Sequence, residues 1–171
     1  MRLRSSKRRR VTLYPAGRKE YPSGQSQYTM GVKQTAMIEV NVKHLEQVKF
    51  EIEARGHRVI SDQPLDSGGQ DQGMTPPEFF LGALGSCAAY YAAAYLKKKN
   101  LERPGVAVRV KADKAGPPAH MDGFLIEVEV PGPLSEENRA GVERSVHHCL
   151  IHQTMLRSPS IEIAIRTSVT A

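Results

Sequence analysis

Cysteine is scarce in this 171-residue chain, which contains only Cys87 and Cys149. Two cysteines 62 residues apart do not resemble the dense disulfide frameworks of small secreted domains. The basic N-terminus also lacks the apolar segment that a secretory signal requires. We therefore expect a cytoplasmic protein, in which a cysteine pair is catalytic or buried rather than a structural disulfide.

Long apolar runs are missing as well. No stretch reaches the roughly 18 apolar residues of a membrane span without charges or turn signals. The segment 76–96 comes nearest, but Glu78 and several glycines interrupt it, and a run of three lysines follows it. We interpret it as a buried core helix and expect no membrane contact.

Positive charge is concentrated in one part of the chain. Residues 1–36 contain nine Lys and Arg and one Glu, whereas the rest contains fifteen basic and seventeen acidic residues. This arm has no periodicity and is rich in Arg, Ser, Gly and Pro, which predicts a disordered segment. Alternatively, the true start is Met37 or Met30. Nucleic acid would bind only through the arm, so we do not expect it as a partner.

Residues 37–171 form the predicted domain. Alternation of apolar and polar residues in "MIEVNVKHL", "VKFEIEARG" and "HRVISDQP" predicts three antiparallel strands. After the loop "LDSGGQDQGMTPP", Thr75 is the predicted N-cap of a helix that ends near Lys99. Two strands, a second helix over "SEENRAGVERSVHHCLIHQTM" and a final strand "SIEIAIRTSV" follow. The order β-β-β-α-β-β-α-β predicts an α+β fold with one six-stranded antiparallel sheet.

The first predicted helix is apolar on every side. One face, defined by steps of three and four residues, carries Phe80, Leu84, Cys87, Tyr91 and Tyr95. The other faces carry further phenylalanine, leucine and alanine residues. Because such a helix must be covered all round and one sheet covers one side, we expect a homodimer with this helix near its centre.

Cys87 has two interpretations within this helix. As a small hydrophobic residue it would simply fill the core. However, Gly82 and Gly85 lie close before it, and each glycine costs a helix roughly 1 kcal/mol. The glycines indicate that another group approaches the helix backbone near Cys87.

The segment "SDQPLDSGGQDQGMTPPEFFLGALGSCAAYYAAAYLKKKNL" resembles the OsmC/Ohr family of thiol-dependent peroxidases and looks most like its YhfA-like branch. In that branch a Gly-rich loop, a Pro-x-Glu helix start and a Gly-x-Cys helix centre occur in this order. The family's second cysteine lies in the second helix, where this chain has Cys149. The match spans roughly Met37 to Arg166 and implies an OsmC-like, intertwined homodimer with two active sites at its interface.

The resemblance also implies a reaction. Cys87 would attack a hydroperoxide and become a sulfenic acid, and Cys149 would resolve it as a disulfide. A dithiol, such as a lipoylated protein, would reduce the disulfide, and neither a cofactor nor a metal is implied. A thiolate needs a nearby cation or hydrogen-bond donors, and a sulfenic acid needs a second thiol to escape over-oxidation.

In the family an Arg and a Glu, hydrogen-bonded to each other, serve the thiolate. The candidates here are Arg58 and Glu78, with Arg55 as the alternative arginine. Organic-hydroperoxide members have this Glu ten residues before the cysteine, whereas Glu78 lies nine before Cys87, about 180° away on an ideal helix. Glu78 therefore also fits a helix cap, and either arginine also fits a solvated position at a strand edge.

The stretch "HHCLIH" surrounds Cys149 with His147, His148 and His152. His148 and His152 share a helix face at a spacing that can hold a transition metal. No carboxylate or further cysteine completes a tetrahedral set, so we predict no metal. A neighbouring imidazole could instead lower the pKa of Cys149 and make it the reactive residue, or the histidines are surface residues without a specific role.

The leading prediction is an OsmC-like hydroperoxide reductase with a role in oxidative stress. Two other functions stay open. One is a non-catalytic dimer that binds an apolar small molecule at an interface lined by Tyr90, Tyr91 and Tyr95. The other is a Cys/His hydrolase or a metal site centred on Cys149.

Overall fold

The computed structural model describes residues 37–167. The predicted basic arm, residues 1–36, lies outside them. Residues 39–167 belong to one compact unit. Its elements in chain order are β1 (Asn41–Glu46), β2 (Lys49–Ala54), β3 (His57–Ser61), α1 (Pro76–Lys98), β4 (Ala107–Ala115), β5 (His120–Glu129), α2 (Glu136–His147) and α3 (Leu150–Leu156). The predicted α+β fold class is confirmed.

The first three strands form an antiparallel meander in the order β1-β2-β3. The turn between β2 and β3 consists of Arg55 and Gly56, with φ of 52° and 80°. Positive φ at both central residues is typical of the tight type I′ hairpin turn, which matches the twist of the strands. This hairpin places Arg58 on β3, opposite Glu53 of β2.

The strands β4 and β5 form a second antiparallel sheet, and α1 packs against both of them and against α2. The centre of the core consists of Ala88, Ala92 and Leu96 from α1 with Val142 and Val146 from α2. The small side chains on α1 allow this close packing. The prediction of one six-stranded sheet is wrong for a single chain. The described residues form a three-stranded sheet and a two-stranded sheet.

Gly85 shows why a glycine precedes Cys87 in the helix. A Cβ atom built on Gly85 would lie 3.1 Å from Cγ2 of Val110 on β4, tighter than ordinary van der Waals contact. At Gly82 a Cβ atom would meet nothing within 4 Å. The group that approaches the helix backbone at Gly85 is therefore strand β4, while Gly82 faces open space.

The prediction of one continuous second helix is wrong. This segment divides into α2 and α3, and Cys149 between them adopts φ −53° and ψ 132°, outside the helical region. The bend lets Cys149 be fully buried and brings α3 into contact with α1. A straight helix would have continued past α1 instead of turning back onto it.

The predicted final strand is also not formed over residues 160–167. The alternating residues Ile161, Ile163 and Ile165 are 84%, 84% and 90% exposed. A strand needs the hydrogen-bonding edge of a partner strand, and neither sheet extends to this segment. The alternating pattern of a strand is present, but the described residues of the chain provide no partner strand for this segment.

Helix α1 is covered on one side. By length and composition it is the one helix among residues 37–167 that could cross a membrane, which is weak support for a span because core helices of soluble proteins meet the same criterion. Its uncovered side is a stripe of mostly small or apolar residues, the open face of α1: Gly82, Ala83, Ser86, Tyr90, Ala93 and Ala94. The predicted burial of this helix therefore holds for one of its two sides within a single chain.

Candidate active site

A buried carboxylate at the end of β3 orders the loop that leads into α1. The side chain of Asp62 accepts hydrogen bonds from the backbone N–H groups of Gln63 at 2.8 Å, Gln70 at 3.0 Å and Gln72 at 3.2 Å. Burial by itself raises the pKa of Asp62, but these three donors, together with the charge of Lys49, hold that pKa below its ordinary value. Asp62 is therefore a charged anchor at the centre of the loop.

The glycines of this loop permit close backbone contacts. A Cβ atom at Gly69 would overlap the carbonyl of Gln63, and one at Gly73 would overlap the carbonyl of Ile60. The Nζ atom of Lys49 adds hydrogen bonds to the loop side chains Gln70 at 3.1 Å and Gln72 at 3.2 Å. Strand β2 and the loop are thus tied together immediately before α1.

Asp62 is not among the site residues predicted from the sequence. The available signal was an acidic residue directly after a strand and directly before a Gly-rich loop. Asp side chains in such positions bond to nearby backbone N–H groups and thereby fix turns.

Helix α1 begins with a capping box. Both the backbone N–H and the Oγ1 hydroxyl of Thr75 donate to Oε2 of Glu78, at 2.7 and 2.8 Å. These bonds, the backbone one first, lower the pKa of Glu78. Glu78 is thereby engaged at the start of the helix, nine residues before Cys87.

The two cysteines meet in the interior of the chain. Cys87 lies in the middle of α1 and is half-buried, whereas Cys149 is fully buried at the bend before α3. Cys87 is close enough to raise the pKa of the Cys149 thiol, and both thiols are free rather than joined in a disulfide. The bend between α2 and α3 is thus the feature that brings the second thiol to the first.

The environments of the two thiols differ. Burial raises the pKa of the Cys149 thiol, and the hydrogen bond with Cys87 and the negative charge that Cys87 would carry raise it further. The backbone N–H groups of His152 and Ile151 act in the opposite direction without reversing the effect. Ionisation of Cys149 is therefore disfavoured in the resting site, and the alternative in which a neighbouring histidine activates it stays a prediction.

An apolar groove of about 1020 Å³ lies next to the bend between α2 and α3. Its walls come from β5, α2 and α3, and Leu84 of α1 reaches it. His147 and His152 both line this groove, with their ring centroids 5.3 Å apart. The Nδ1 atom of His152 is buried and has no hydrogen-bond partner among residues 37–167.

Arg58 is engaged in an ion pair on the first sheet. Its Nε lies 3.0 Å from Oε2 of Glu53, its Nη1 lies 4.0 Å from Oε2 of Glu51, and its side chain is 63% exposed. Within the part of the chain that the structure describes, neither Arg58 nor Glu78 forms a hydrogen bond or ion pair with the other or with Cys87. The roles predicted for them stay predictions. Arg55 occupies the hairpin turn.

The predicted tyrosines have different environments. The hydroxyl of Tyr95 donates to Oδ1 of Asn138 on α2 at 3.0 Å, so Tyr95 joins two helices. Tyr90 is 70% exposed on the open face of α1, and its ring packs edge-on against that of Tyr91. No cluster of three or more His, Cys, Asp or Glu side chains that could hold a metal occurs within residues 37–167.

Solved structures share this fold. A protein from Psychrobacter arcticus, described in terms of osmotic stress induction and a detoxification response, is 14% identical with a TM-score of 0.64, over 72% of this chain and 91% of its own. An OsmC-like protein from Mycoplasma pneumoniae is 15% identical with a TM-score of 0.62, over 71% and 88%. The organic hydroperoxide resistance protein OsmC from Legionella pneumophila is 16% identical with a TM-score of 0.51, over 71% and 91%.

Sequence comparison assigns the family. No functionally curated protein shows significant sequence similarity to the chain. The family model described as "OsmC-like protein" matches residues 69–164, which is more than half of the sequence and includes α1, α2, α3 and both cysteines. The YhfA-like branch stays a prediction. The predicted family is confirmed: the chain belongs to the OsmC-like proteins of the OsmC/Ohr family.

Proposed function

We propose that the protein reduces organic hydroperoxides through Cys87 and Cys149. The observation that carries this proposal is the contact between two free thiols that lie 62 residues apart in the sequence. A family relative of the same fold, from Legionella pneumophila, is named for organic hydroperoxide resistance, which supports the substrate class. A role in the response to oxidative stress follows from that chemistry.

The first step is oxidation of Cys87. Its thiolate attacks the distal oxygen of the hydroperoxide ROOH, an S–O bond forms and the O–O bond breaks. The alkoxide that leaves takes up a proton and departs as the alcohol ROH. Cys87 is the attacking residue because it is the more accessible thiol, whereas burial and the neighbouring thiol disfavour ionisation of Cys149.

The second step is resolution by Cys149. Its sulfur attacks the sulfur of the Cys87 sulfenic acid, the S–S bond forms, the S–O bond breaks, and water leaves. Because Cys87 already lies close enough to affect the pKa of Cys149, little movement is required. A dithiol, such as a lipoylated protein, then reduces the disulfide by thiol–disulfide exchange and is itself oxidised to a disulfide.

We also propose that the protein is a cytoplasmic homodimer. The open face of α1 and the exposed isoleucines of residues 160–167 are apolar surfaces that a second copy would cover. Arg58 and Glu78 are proposed to serve the thiolate, for which Arg58 would have to exchange its ion pair with Glu53 and Glu78 its bonds to Thr75.

Intact mass spectrometry tests the cysteine mechanism. The reduced protein is treated with one equivalent of tert-butyl hydroperoxide, beside the variants Cys149→Ser and Cys87→Ser. We expect the parent to lose two hydrogens, Cys149→Ser to gain one oxygen, and Cys87→Ser to stay unchanged. Two free thiols and an unchanged mass in the parent and in Cys149→Ser would refute the peroxidase proposal.

The apolar groove supports a second candidate function. A concave site of about 1020 Å³ with apolar walls and a few polar groups is typical of small-molecule binding. If the thiols do not react with peroxide, binding of an apolar molecule in this groove is the function that the geometry favours. A fluorescent apolar probe such as ANS would then bind the parent, and Val142→Glu, at the groove wall, would reduce that binding.

A further inference from the structure

Resolution of the sulfenic acid poses a problem for Cys149. A thiol attacks sulfur as its thiolate, yet Cys149 is fully buried and its pKa is raised. The backbone N–H groups of His152 and Ile151 lower this pKa, but not enough to offset the effects that raise it. The proton of Cys149 must therefore be transferred to a base within the site at the moment of attack.

His152 is the candidate for that base. It lies one helical turn after Cys149, and its own backbone N–H is directed toward the Cys149 sulfur. Its Nδ1 atom is buried and has no hydrogen-bond partner among the described residues. In the tautomer that carries the proton on Nε2, Nδ1 has a free lone pair and can accept a proton. A buried polar atom without a partner is uncommon in folded proteins and calls for an explanation.

The other histidines of the cluster are placed less well. His148 is exposed and ends α2. His147 lies on the preceding helix, exposed at the groove, where its ring packs against that of His152. This contact limits the positions open to the His152 ring, which suits a residue that must accept a proton at a fixed place.

We propose that His152 accepts the proton of Cys149 as the Cys149 sulfur attacks Cys87. The inference rests on the proposed function and deepens it. The S–H bond of Cys149 breaks with its proton passing to Nδ1 of His152, the S–S bond forms, and hydroxide leaves the Cys87 sulfenic acid. The hydroxide then takes the proton from the imidazolium, so the products are the disulfide, water and neutral His152.

The surroundings of His152 contain few other ionisable groups. Within the described residues, the charged or titratable side chains that share the groove with it are Arg139, Glu143 and His147, all from α2. Strand β5 contributes only apolar side chains to the groove, and α1 contributes Leu84 there and Cys87 at the thiol contact. Of these groups only His147 and Glu143 could compete with His152 as a base, and both lie on the helix before the bend.

A peroxide-free experiment isolates the step. The reagent DTNB converts Cys87 to a mixed disulfide and releases one thionitrobenzoate, after which Cys149 attacks and releases a second. We expect His152→Gln to leave the first release unchanged and to slow the second by about 100-fold at pH 7, a usual size for loss of a general base. The matched control His148→Gln, four residues away from the proposed base and exposed, should release both at the parent rates.

The pH dependence separates proton transfer from a packing defect. With a base in place, the second release should level off above the range in which imidazoles lose their proton. In His152→Gln it should keep rising with pH through pH 9, because solvent hydroxide must then deprotonate Cys149. Added imidazole should accelerate the second release in His152→Ala, where the side chain leaves a space, and not in the parent.

Two results would overturn the role of His152. One is a second release in His152→Gln at the parent rate. The other is a slower release whose pH profile stays parallel to that of the parent and that imidazole does not accelerate. If peroxide fails to oxidise the parent while the DTNB results hold, the proposed function fails and the role of His152 in Cys149 reactivity stands.

Discussion

At the residue scale, the carboxylates show how the same side chain acquires different roles. Asp62 is buried and bonded to three backbone N–H groups of its own loop. Glu78 is bonded to Thr75 at the first turn of α1. Both have lowered pKa values, but neither pKa identifies a catalytic group, because hydrogen bonds that stabilise a turn or a helix end have the same effect as those in an active site.

The role of Glu78 can be settled by a matched pair of variants. If Glu78 acts only as a cap, Glu78→Gln and Thr75→Ala should both lower Tm and leave the rate of Cys87 oxidation by tert-butyl hydroperoxide unchanged, because each removes part of the same capping box. Thermal unfolding and stopped-flow oxidation measure the two quantities. Slower oxidation in Glu78→Gln but not in Thr75→Ala would instead support the catalytic role.

Asp62 should make the protein sensitive to acid. Its pKa in the folded protein lies below the ordinary value of 3.8, so the unfolded chain binds a proton more readily. The contribution of the ionised Asp62 to the stability of the folded protein is therefore present above pH 3.8 and is lost as the pH falls through the folded-state pKa. We expect Asp62→Asn to have a lower Tm than the parent at pH 7 and a smaller deficit at pH 3.

Asp66→Asn is the control for this prediction, since Asp66 is an exposed carboxylate of the same loop. It should change Tm little at either pH. An equal Tm deficit of Asp62→Asn at pH 7 and pH 3 would contradict the account, because it would mean that the charge of Asp62 does not contribute.

At the residue scale, the sequence predicts which residues form the site better than it predicts what those residues contact. Both cysteines could be selected from the sequence because they are the only ones and because the Gly-rich loop and α1 resemble a family. Their mutual contact depends on the bend at Cys149, which has no Gly or Pro to signal it. Asp62 was missed because its partners are backbone groups, which leave no trace in residue types.

At the element scale, periodicity located β1 to β5 and α1, because each of them meets its partner within the same chain. The bend between α2 and α3 and the unpaired segment 160–167 were missed for opposite reasons. The bend is a tertiary effect that buries Cys149 against α1. The segment 160–167 has the pattern of a strand, but a pattern specifies faces and not the edge to which a strand binds.

The packing of α2 on α1 depends on Gly141. A Cβ atom at this position would overlap the ring and hydroxyl of Tyr95. Alanine is the better helix former by roughly 1 kcal/mol, but overpacking a core contact typically costs about 1–3 kcal/mol. We therefore expect Gly141→Ala to lower the free energy of unfolding measured in urea, despite the gain in helix propensity.

A double variant provides the control. Replacing Tyr95 by leucine removes the ring that the new methyl group would meet, so Gly141→Ala should be less destabilising in Tyr95→Leu than in the parent. Equal effects in both backgrounds would show that the two residues are not coupled, and the packing explanation would then fail.

At the scale of the whole molecule, the small size of the core is the feature to explain. Within residues 37–167 only seven hydrophobic residues are buried, among them two alanines and one cysteine. Large apolar side chains are exposed at both ends of this region, including Met37, Ile38 and the three isoleucines near its end. Burial of apolar area is the main force that stabilises a fold, so a chain of this length with so small a core is expected to complete it with a second copy.

We therefore expect the full chain to sediment as a dimer, at about twice its mass of 18.9 kDa. Ala94→Glu should shift it toward the monomer, because Ala94 lies on the open face of α1 and a glutamate there would place a charge in the helix contact. Glutamate is a good helix former, so the helix itself should persist. Sedimentation velocity over a range of concentrations measures the change.

The control variant is Lys114→Glu, an exposed charge reversal on the β4–β5 hairpin, which should sediment like the parent. Circular dichroism of all three proteins checks that Ala94→Glu retains its helices. A parent that sediments at 18.9 kDa, or an Ala94→Glu variant as dimeric as the parent, would contradict the assignment of α1 to the dimer contact. Monomeric Ala94→Glu with intact DTNB kinetics would show in addition that both thiols and His152 act within one chain, so that the dimer stabilises the site without contributing to its resolving step.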